Sequence, residues 1–343
     1  MKRSLLIRTD ASADIGTGHL MRCLAFAQEC RKQGHESLFV LSMETPLIER
    51  LKNEGMTVMR IDAERGSSND TAKTIAIAGE HNAEWIVTDG YAFDAAYGRK
   101  LRDAGNKVLM VDDYAHLSSY ECDVLLNQNI DASETMYAGK TDAEFLLGPS
   151  YALLRKEFLS RTDRTRVIPE VATNILVTLG GGDPENATSL ILRALDQIDT
   201  PALSVTVIAG SENPHKDALK KIVAGSHHQI SLLENVTDMP SLMAEADIAI
   251  AAAGSTSWEL LYMGLPFVTG ILAENQAGIA EELGKRKLAV NIGWYKKTTP
   301  ASLADAILQL LTNPEDRKRM SDAGKKTVDG RGAERVVDAL RNR

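Results

Sequence analysis

The chain has 343 residues, 44% of them hydrophobic and 25% charged, with a formal net charge of −8. That length exceeds what one hydrophobic core usually organises, and the balance is that of a soluble chain with a substantial core, which excludes wholesale disorder. The acid excess and the lack of any long Lys/Arg run exclude the broad positive field of a nucleic-acid or membrane-surface binder. An anionic ligand must then be held locally, as helix N-termini can do whatever the net charge.

The first apolar run, Leu5-Leu6-Ile7, is cut off by Arg8 and Asp10, a strand pattern and not a signal peptide. No stretch reaches the length of a membrane span. Short apolar runs then alternate with amphipathic segments, as in parallel sheets flanked by helices. In the first half strands are predicted at 5–9, 37–41, 58–61, 85–89, 108–112 and 124–126, with helices at 19–33, 46–53, 71–80 and 95–104. The first helix carries a stripe of Leu20, Leu24 and Ala27 and stops at Gly34. Cys23 and Cys30 lie on it about 10 Å apart, too far to bridge. With Cys122 they form no C-x-x-C pair, read as small buried residues, and fit a reducing cytoplasm.

Residues 160–173 mix Arg, Thr, Asp and Pro without periodicity, so the predicted domains are 1–160 and 174–343. The second half repeats the plan, with strands at 175–179, 205–208, 230–233, 248–251 and 267–268. Its predicted helices are 187–197, 216–224, 240–246, 257–263, 276–284, 303–311, 315–323 and 333–341. The fold class is therefore α/β and GT-B-like: two doubly wound, parallel-sheet, Rossmann-like domains facing an interdomain cleft. Fold alone does not identify the chemistry.

The first strand leads into DASADIGTGH, residues 10–19, and directly into the first helix. This loop lies at the carboxyl end of a parallel strand, where open α/β sheets bind ligands. Gly16 and Gly18 leave room for a close approach to substrate. The dinucleotide fingerprint is absent, because Met21 takes its third glycine position. His19 falls in the first helical turn, where positive partial charge disfavours an imidazolium and suits a ring that takes a proton from water. The alternative is a histidine that caps or packs locally. Asp10 and Asp14 are candidates to orient the imidazole or bind a sugar hydroxyl, or they are ordinary turn acids.

In the second half ILVTLGGGDP, residues 175–184, places Gly181 and Gly182 after the first strand, able to wrap a diphosphate with main-chain donors or simply to turn. DIAIAAAGSTSWE, residues 247–259, gives strand, small-residue turn and helix. There Gly254 opens the turn, Ser255 and Thr256 are N-cap candidates beside a phosphate, and Glu259 is a candidate for ribose hydroxyls or a helix-dipole acid. A loop at 234–243 offers backbone near Val236 to a uracil edge, or is a plain connection.

Asp112-Asp113 at a strand end raises a metal site, but no third ligand is identifiable, and a polar role is preferred. His81, His116, His215, His227 and His228 lack metal-ligand spacing. No metal and no cofactor is called for, and the sequence names no protein partner.

The set GTGHLMRCL, GGGDP and AGSTSWE, with RTDAS at 8–12, Asp112-Asp113, LNQN at 126–129 and YALLR at 151–155, resembles the UDP-2,4-diacetamido-2,4,6-trideoxy-beta-L-altropyranose hydrolase family of pseudaminic acid biosynthesis and the related spore-coat polysaccharide biosynthesis protein. The resemblance runs over most of the chain. It implies a cytoplasmic hydrolase whose partner is a UDP-linked diacetamido sugar, with water attacking the anomeric carbon and UDP leaving with inversion. It further implies His19 as base, Tyr91 and Asn275 near the sugar, and Ser255 and Glu259 at the nucleotide. Asp89-Gly90-Tyr91 departs from an Asp-His-Tyr run common in the family. A UDP leaving group needs no general acid, so the job is to position water and stabilise the departing oxygen. Rival readings are a glycosyltransferase, a UDP-sugar epimerase, and a noncatalytic sugar-nucleotide binding or scaffold protein.

Overall fold

The computed structural model describes residues 4–12, 15–161, 165–180, 183–210, 213–234 and 236–343. The chain divides into one unit of Met1–Lys156 with Gly330–Arg343 and a second of Glu157–Asp329.

The first unit is built on a parallel sheet of β1 (Ser4–Thr9), β2 (Glu36–Leu41), β3 (Thr57–Arg60), β4 (Ala83–Asp89), β5 (Lys107–Val111), β6 (Val124–Asn127) and β7 (Glu144–Leu147), in the order β3-β2-β1-β4-β5-β6-β7. Helices α1 (Gly18–Lys32), α2 (Leu47–Asn53), α3 (Ser68–Glu80) and α4 (Ala95–Asp103) connect its strands. Both faces of the sheet are covered, which is why its strands read as unbroken apolar runs. Alternate residues serve opposite cores. Leu5, Ile7, Trp85 and Val87 pack with Leu20, Leu24 and Cys30 of α1. Leu6, Ile86, Val108 and Met110 pack with Ile77, Tyr97 and Leu101 from α3 and α4.

A single turn, α5 (Lys156–Leu159), carries the chain into the second unit. Its sheet comprises β8 (Asn174–Thr178), β9 (Ser204–Ala209), β10 (Gln229–Glu234), β11 (Ile248–Ala252), β12 (Phe267–Ile271) and β13 (Val290–Trp294), ordered β10-β9-β8-β11-β12-β13. The helices are α6 (Ala187–Leu195), α7 (Lys216–Gly225), α8 (Met239–Glu245), α9 (Thr256–Met263), α10 (Ala277–Lys285), α11 (Pro300–Thr312) and α12 (Pro314–Thr327). In each sheet the strand order reverses once, between β1 and β4 and between β8 and β11. Such a reversal opens a crevice at the strands' carboxyl ends.

The structure differs from the sequence expectation at the sheet edges and at the division between the units. The edge strands β7 and β13 were not predicted, since one is four residues long and the other carries Asn291 and Gly293. Edge strands lack the continuous apolar signal of buried ones. The last helix, α13 (Gly332–Arg341), expected within 174–343, belongs to the first unit: Ala333, Val336, Val337 and Leu340 join the core beside α1. The chain passes between units at Lys156/Glu157, ahead of the predicted 160–173 boundary.

Candidate active site

In the first unit the loop after β1 and the ends of β4 and β5 meet at the sheet reversal. His19, the second residue of α1, is buried, and its Nδ1 lies 2.7 Å from Asp89 Oδ1 at the end of β4. Arg22, one helical turn on, grips the same carboxylate with Nε to Oδ2 and Nη2 to Oδ1, both at 2.6 Å. Its Nη1 and Nη2 also donate to Asp113, at 2.6 and 3.1 Å. Arg22 Nη2 comes within 3.0 Å of His19 Nδ1, but its two hydrogens are directed at Asp89 and Asp113. The proton on Nδ1 is therefore assigned to His19, which donates it to Asp89. Nε2 is left with a lone pair and no hydrogen-bond partner among the described residues.

The carboxylates are held charged. Burial alone would raise both, but the Arg22 guanidinium, with His19 assisting, outweighs it and holds Asp89 well below the usual carboxylate range, and Arg22 lowers Asp113 likewise. For Arg22 burial works against the charge, and Asp113 and Asp89 overcome it to push the guanidinium well up. Cys23 donates its thiol to Asp89 Oδ2 at 3.4 Å, and burial followed by that carboxylate raises it well above an ordinary thiol. The result is a rigid carboxylate behind the imidazole, the arrangement that fixes a general base.

Tyr91 meets the His19 ring edge-on with centroids 4.9 Å apart, while its hydroxyl donates to Asp113 Oδ2 at 2.8 Å. His19, Asp89, Tyr91, Ile15, Phe93 and Arg65 are among the residues lining a cavity of about 260 Å3. Gly90 has φ +148°, and a Cβ there would stand 3.2 Å from the Phe93 ring. The backbone at this point disfavours the histidine that the family pattern places here. His116 approaches Tyr91 instead, 5.4 Å away and stacked on Tyr114 at 4.9 Å.

Several expected residues take other roles. Asp10 does not orient the imidazole: its oxygens accept from the Ser42 and Met43 amides at 2.7 and 3.0 Å and from Arg8 at 2.6 Å. Asp14 lies outside the described residues. Gly16 has φ +73°, whereas Gly18 starts α1 with ordinary helical backbone. Asp112 accepts from the Ala115 amide and from Tyr120 and Tyr137, at 2.7, 3.2 and 2.7 Å, with His116 Nδ1 at 3.1 Å. Both acids of the Asp112-Asp113 pair are thus committed to protein donors. A cluster of Asp196, His227 and His228 has ligand atoms close together, but His228 Nδ1 accepts the Leu203 amide and Nε2 faces the Leu195 carbonyl, so that ring has no nitrogen left for a cation.

The second unit places its motifs at the other reversal. Gly181 and Gly182 lie outside the described residues. Asp183 accepts the Ala187 and Thr188 amides at 2.7 and 2.9 Å, so the start of α6 is already filled by a carboxylate. Across the reversal, Gly254 and Ser255 lead into α9. Ser255 is the N-cap residue with helical backbone and no capping bond from its side chain, and Thr256 is the first helical residue and not a cap. Glu259 lies half-buried one turn in, above Trp258, which is 1% exposed. Val236 is half-buried between β10 and α8, whose start is capped by Asp238 through the Ser241 amide at 3.1 Å. Asn275 sits in a 3-10 turn, Glu274–Gln276, after β12.

Arg22, Asp89, Asn129 and Arg65 were not among the sequence candidates. Asn129 donates to the Asp113 carbonyl and carboxylate at 3.0 and 3.2 Å. The available signal was the spacing of His19 and Arg22, three apart on one helical face within GTGHLMRCL.

Residues 174–336 match the glycosyltransferase family 28 C-terminal domain. Over 281 residues the chain is 26% identical to the protein MJ1062 of Methanocaldococcus jannaschii, a match covering 79% of this chain and 56% of that one. It is 29% identical over 197 residues to the spore coat polysaccharide biosynthesis protein SpsG of Bacillus subtilis, 57% of each chain. The chain thus spans little more than half the length of these two relatives. It is 27% identical over 285 residues to the UDP-2,4-diacetamido-2,4,6-trideoxy-beta-L-altropyranose hydrolase of Campylobacter jejuni, 82% of this chain and 96% of that one. Among solved structures, MurG of Acinetobacter baumannii aligns with TM-score 0.68 at 17% identity over 99% of this chain and 100% of the other. HepE of Anabaena in complex with UDP aligns with TM-score 0.66 at 15% identity, over 99% and 100%. Among the described residues no helix is long and apolar enough to cross a membrane. The chain has the GT-B-like fold, and its sequence is similar to those of the UDP-diacetamido-trideoxy-altropyranose hydrolase and of SpsG, as its motifs led one to expect.

Proposed function

We propose that the protein hydrolyses a UDP-linked 2,4-diacetamido-2,4,6-trideoxyhexose of altrose type to free sugar and UDP, in pseudaminic acid or a related surface or spore-coat polysaccharide biosynthesis. The observation that carries the reading is His19 at the wall of a cavity, Nδ1 tied to a charged Asp89 and Nε2 unpaired. His19 Nε2 takes the proton of a water whose oxygen bonds to the anomeric carbon. The bond from that carbon to the UDP oxygen breaks on the opposite face and its electron pair leaves with UDP, so the configuration inverts. Asp89 stabilises the imidazolium that forms, and Tyr91 and Asn275 contact the sugar.

The diphosphate is assigned to the start of α9 at Gly254, Ser255 and Thr256, because Asp183 occupies the amides of the neighbouring α6. Glu259 takes the ribose hydroxyls, Val236 the uracil edge, and Gly181 and Gly182 the pyrophosphate. The helix dipole and amides supply the charge stabilisation, and the reaction is proposed to run without a metal. Three buried free thiols suit a reducing compartment, and the cytoplasm is the proposed location.

The match to a glycosyltransferase C-terminal domain favours a second reading, transfer of the sugar to an acceptor. Incubation with the UDP-diacetamido sugar and no acceptor separates the two. Hydrolysis gives equal amounts of UDP and free sugar, with the inverted anomer seen first by NMR. His19→Ala is expected to lower kcat by about a hundredfold or more while UDP affinity and melting temperature hold. An absolute need for an acceptor, or undiminished turnover by His19→Ala, rejects the proposal.

A further inference from the structure

The cavity beside His19 holds one cation that the proposed chemistry does not use. Arg65 lines it, half-buried, and makes no hydrogen bond or ion pair among the described residues. A guanidinium has five donors and is rarely left without acceptors away from bulk water. Its position is built in. The next residue, Gly66, has φ +72°, and a Cβ there would fall 2.0 Å from the Ala92 carbonyl oxygen. Only glycine lets this loop close onto the loop that follows β4. The Gly66 amide is further tied to Asp70 Oδ2 at 2.9 Å, and Asp70 is itself held by Arg8 through two bonds of 2.9 Å. The 61–67 loop is thereby clamped against Ala92 with Arg65 facing the cavity.

The chemistry of the walls identifies what that cation meets. At about 260 Å3 the cavity lies below the roughly 300–1,000 Å3 of sites that enclose a drug-sized ligand, so it takes a sugar or its substituents and not a whole nucleotide sugar. Ile15, Tyr91, Ala92 and Phe93 make most of the walls apolar. Asp10 and Asp89 share them, and both are ionic partners of other arginines, so a second anion here would face their field. A neutral acceptor that carries a methyl group satisfies both the guanidinium and the apolar walls.

We propose that Arg65 donates to the carbonyl oxygen of an N-acyl group on the sugar, while Ile15, Ala92 and Phe93 cover its methyl, so that this pocket selects acylated over free amino sugars. The inference rests on the sugar-binding reading of this site and adds to it the substituent that is read. A free amine would bring an ammonium against Arg65 and leave the guanidinium without an acceptor, which is the kind of mismatch that rejects ligands strongly.

The test is equilibrium binding, by titration calorimetry or ligand-observed NMR, of free 2,4-diacetamido-2,4,6-trideoxy-L-altrose and of the same sugar with unacylated amines. Wild type is expected to prefer the acylated sugar by about tenfold or more, the range of a hydrogen bond to a charged group. In Arg65→Ala the preference should collapse to about twofold, with Arg65→Lys restoring part of it, and the melting temperature should not move because Arg65 holds no protein group. Equal preference in wild type and Arg65→Ala, or no preference in wild type, overturns the assignment. UDP release from the nucleotide sugar is measured alongside. Discrimination without turnover sinks the hydrolase reading and leaves this one standing, and turnover without discrimination does the reverse.

Discussion

Asp89→Asn is the substitution that most directly probes how the imidazole works. It preserves size and leaves an oxygen near Nδ1, yet removes the charge that stands 2.7 Å from the ring. When His19 takes a proton, the wild type forms an ion pair whose charge centres lie about 4 Å apart, worth about 4 kcal/mol at an effective dielectric near 20. Arg22 binds the same carboxylate and repels the imidazolium, which removes part of that gain, while Asp113 offsets Arg22. A net loss of about 2–4 kcal/mol is left, or roughly 30- to 1,000-fold in kcat. The assay is initial UDP release at saturating substrate, with UDP affinity and melting temperature measured on the same samples. A folded Asp89→Asn protein whose UDP affinity is unchanged and whose kcat stays within about threefold of wild type refutes the role given to this carboxylate.

Glu259→Ala is expected to weaken UDP binding by about tenfold and to erase any preference for UDP over its 2′-deoxy analogue, as measured by calorimetry; unchanged affinity removes Glu259 from the ribose site. Arg22→Met should reverse the pH dependence of the buried cluster. In wild type Asp89 and Asp113 are lowered, so they contribute stability that is complete above the ordinary carboxylate range near pH 4 and lost as pH falls through their depressed values. Without Arg22 burial dominates and raises both carboxyls, so the variant's deficit, about 3–5 kcal/mol at pH 8, should shrink on acidification to pH 5. Urea unfolding at the two pH values checks it, and a deficit that grows at pH 5 contradicts the assignment.

The sheets were legible because strands covered on both faces need consecutive apolar residues, as in Leu5-Leu6-Ile7 and Trp85-Ile86-Val87. β13 escaped because Asn291 and Gly293 break its run, and α13 was assigned to the wrong half because an apolar stripe says that a helix packs without saying on what. At the site, His19 was legible from the glycines before it and the helix after it. Its true orienting partner, Asp89, was not, since it stands 70 positions away and only the order of β1 and β4 brings the two together. Asp10 looked better placed in sequence, but Arg8, two residues earlier on the same strand, captures it. Local sequence thus points to single candidate residues more readily than to their pairing, which strand order decides.

The same logic separates two helix starts in the second unit that look alike in sequence. Both GGGDP and AGSTSWE follow a strand at the reversal, and both open helices whose first amides suit a phosphate. Asp183 settles the first case, since its two oxygens accept the Ala187 and Thr188 amides and put a negative charge where a phosphate oxygen would have to come. An anion arriving there must displace a charge-assisted pair of bonds and face the displaced carboxylate. At α9 the N-cap Ser255 is exposed and its side chain makes no capping bond among the described residues, while Trp258 in the same turn is buried. The proposed diphosphate at α9 therefore meets no capping carboxylate at Ser255, whereas at α6 it would compete with Asp183.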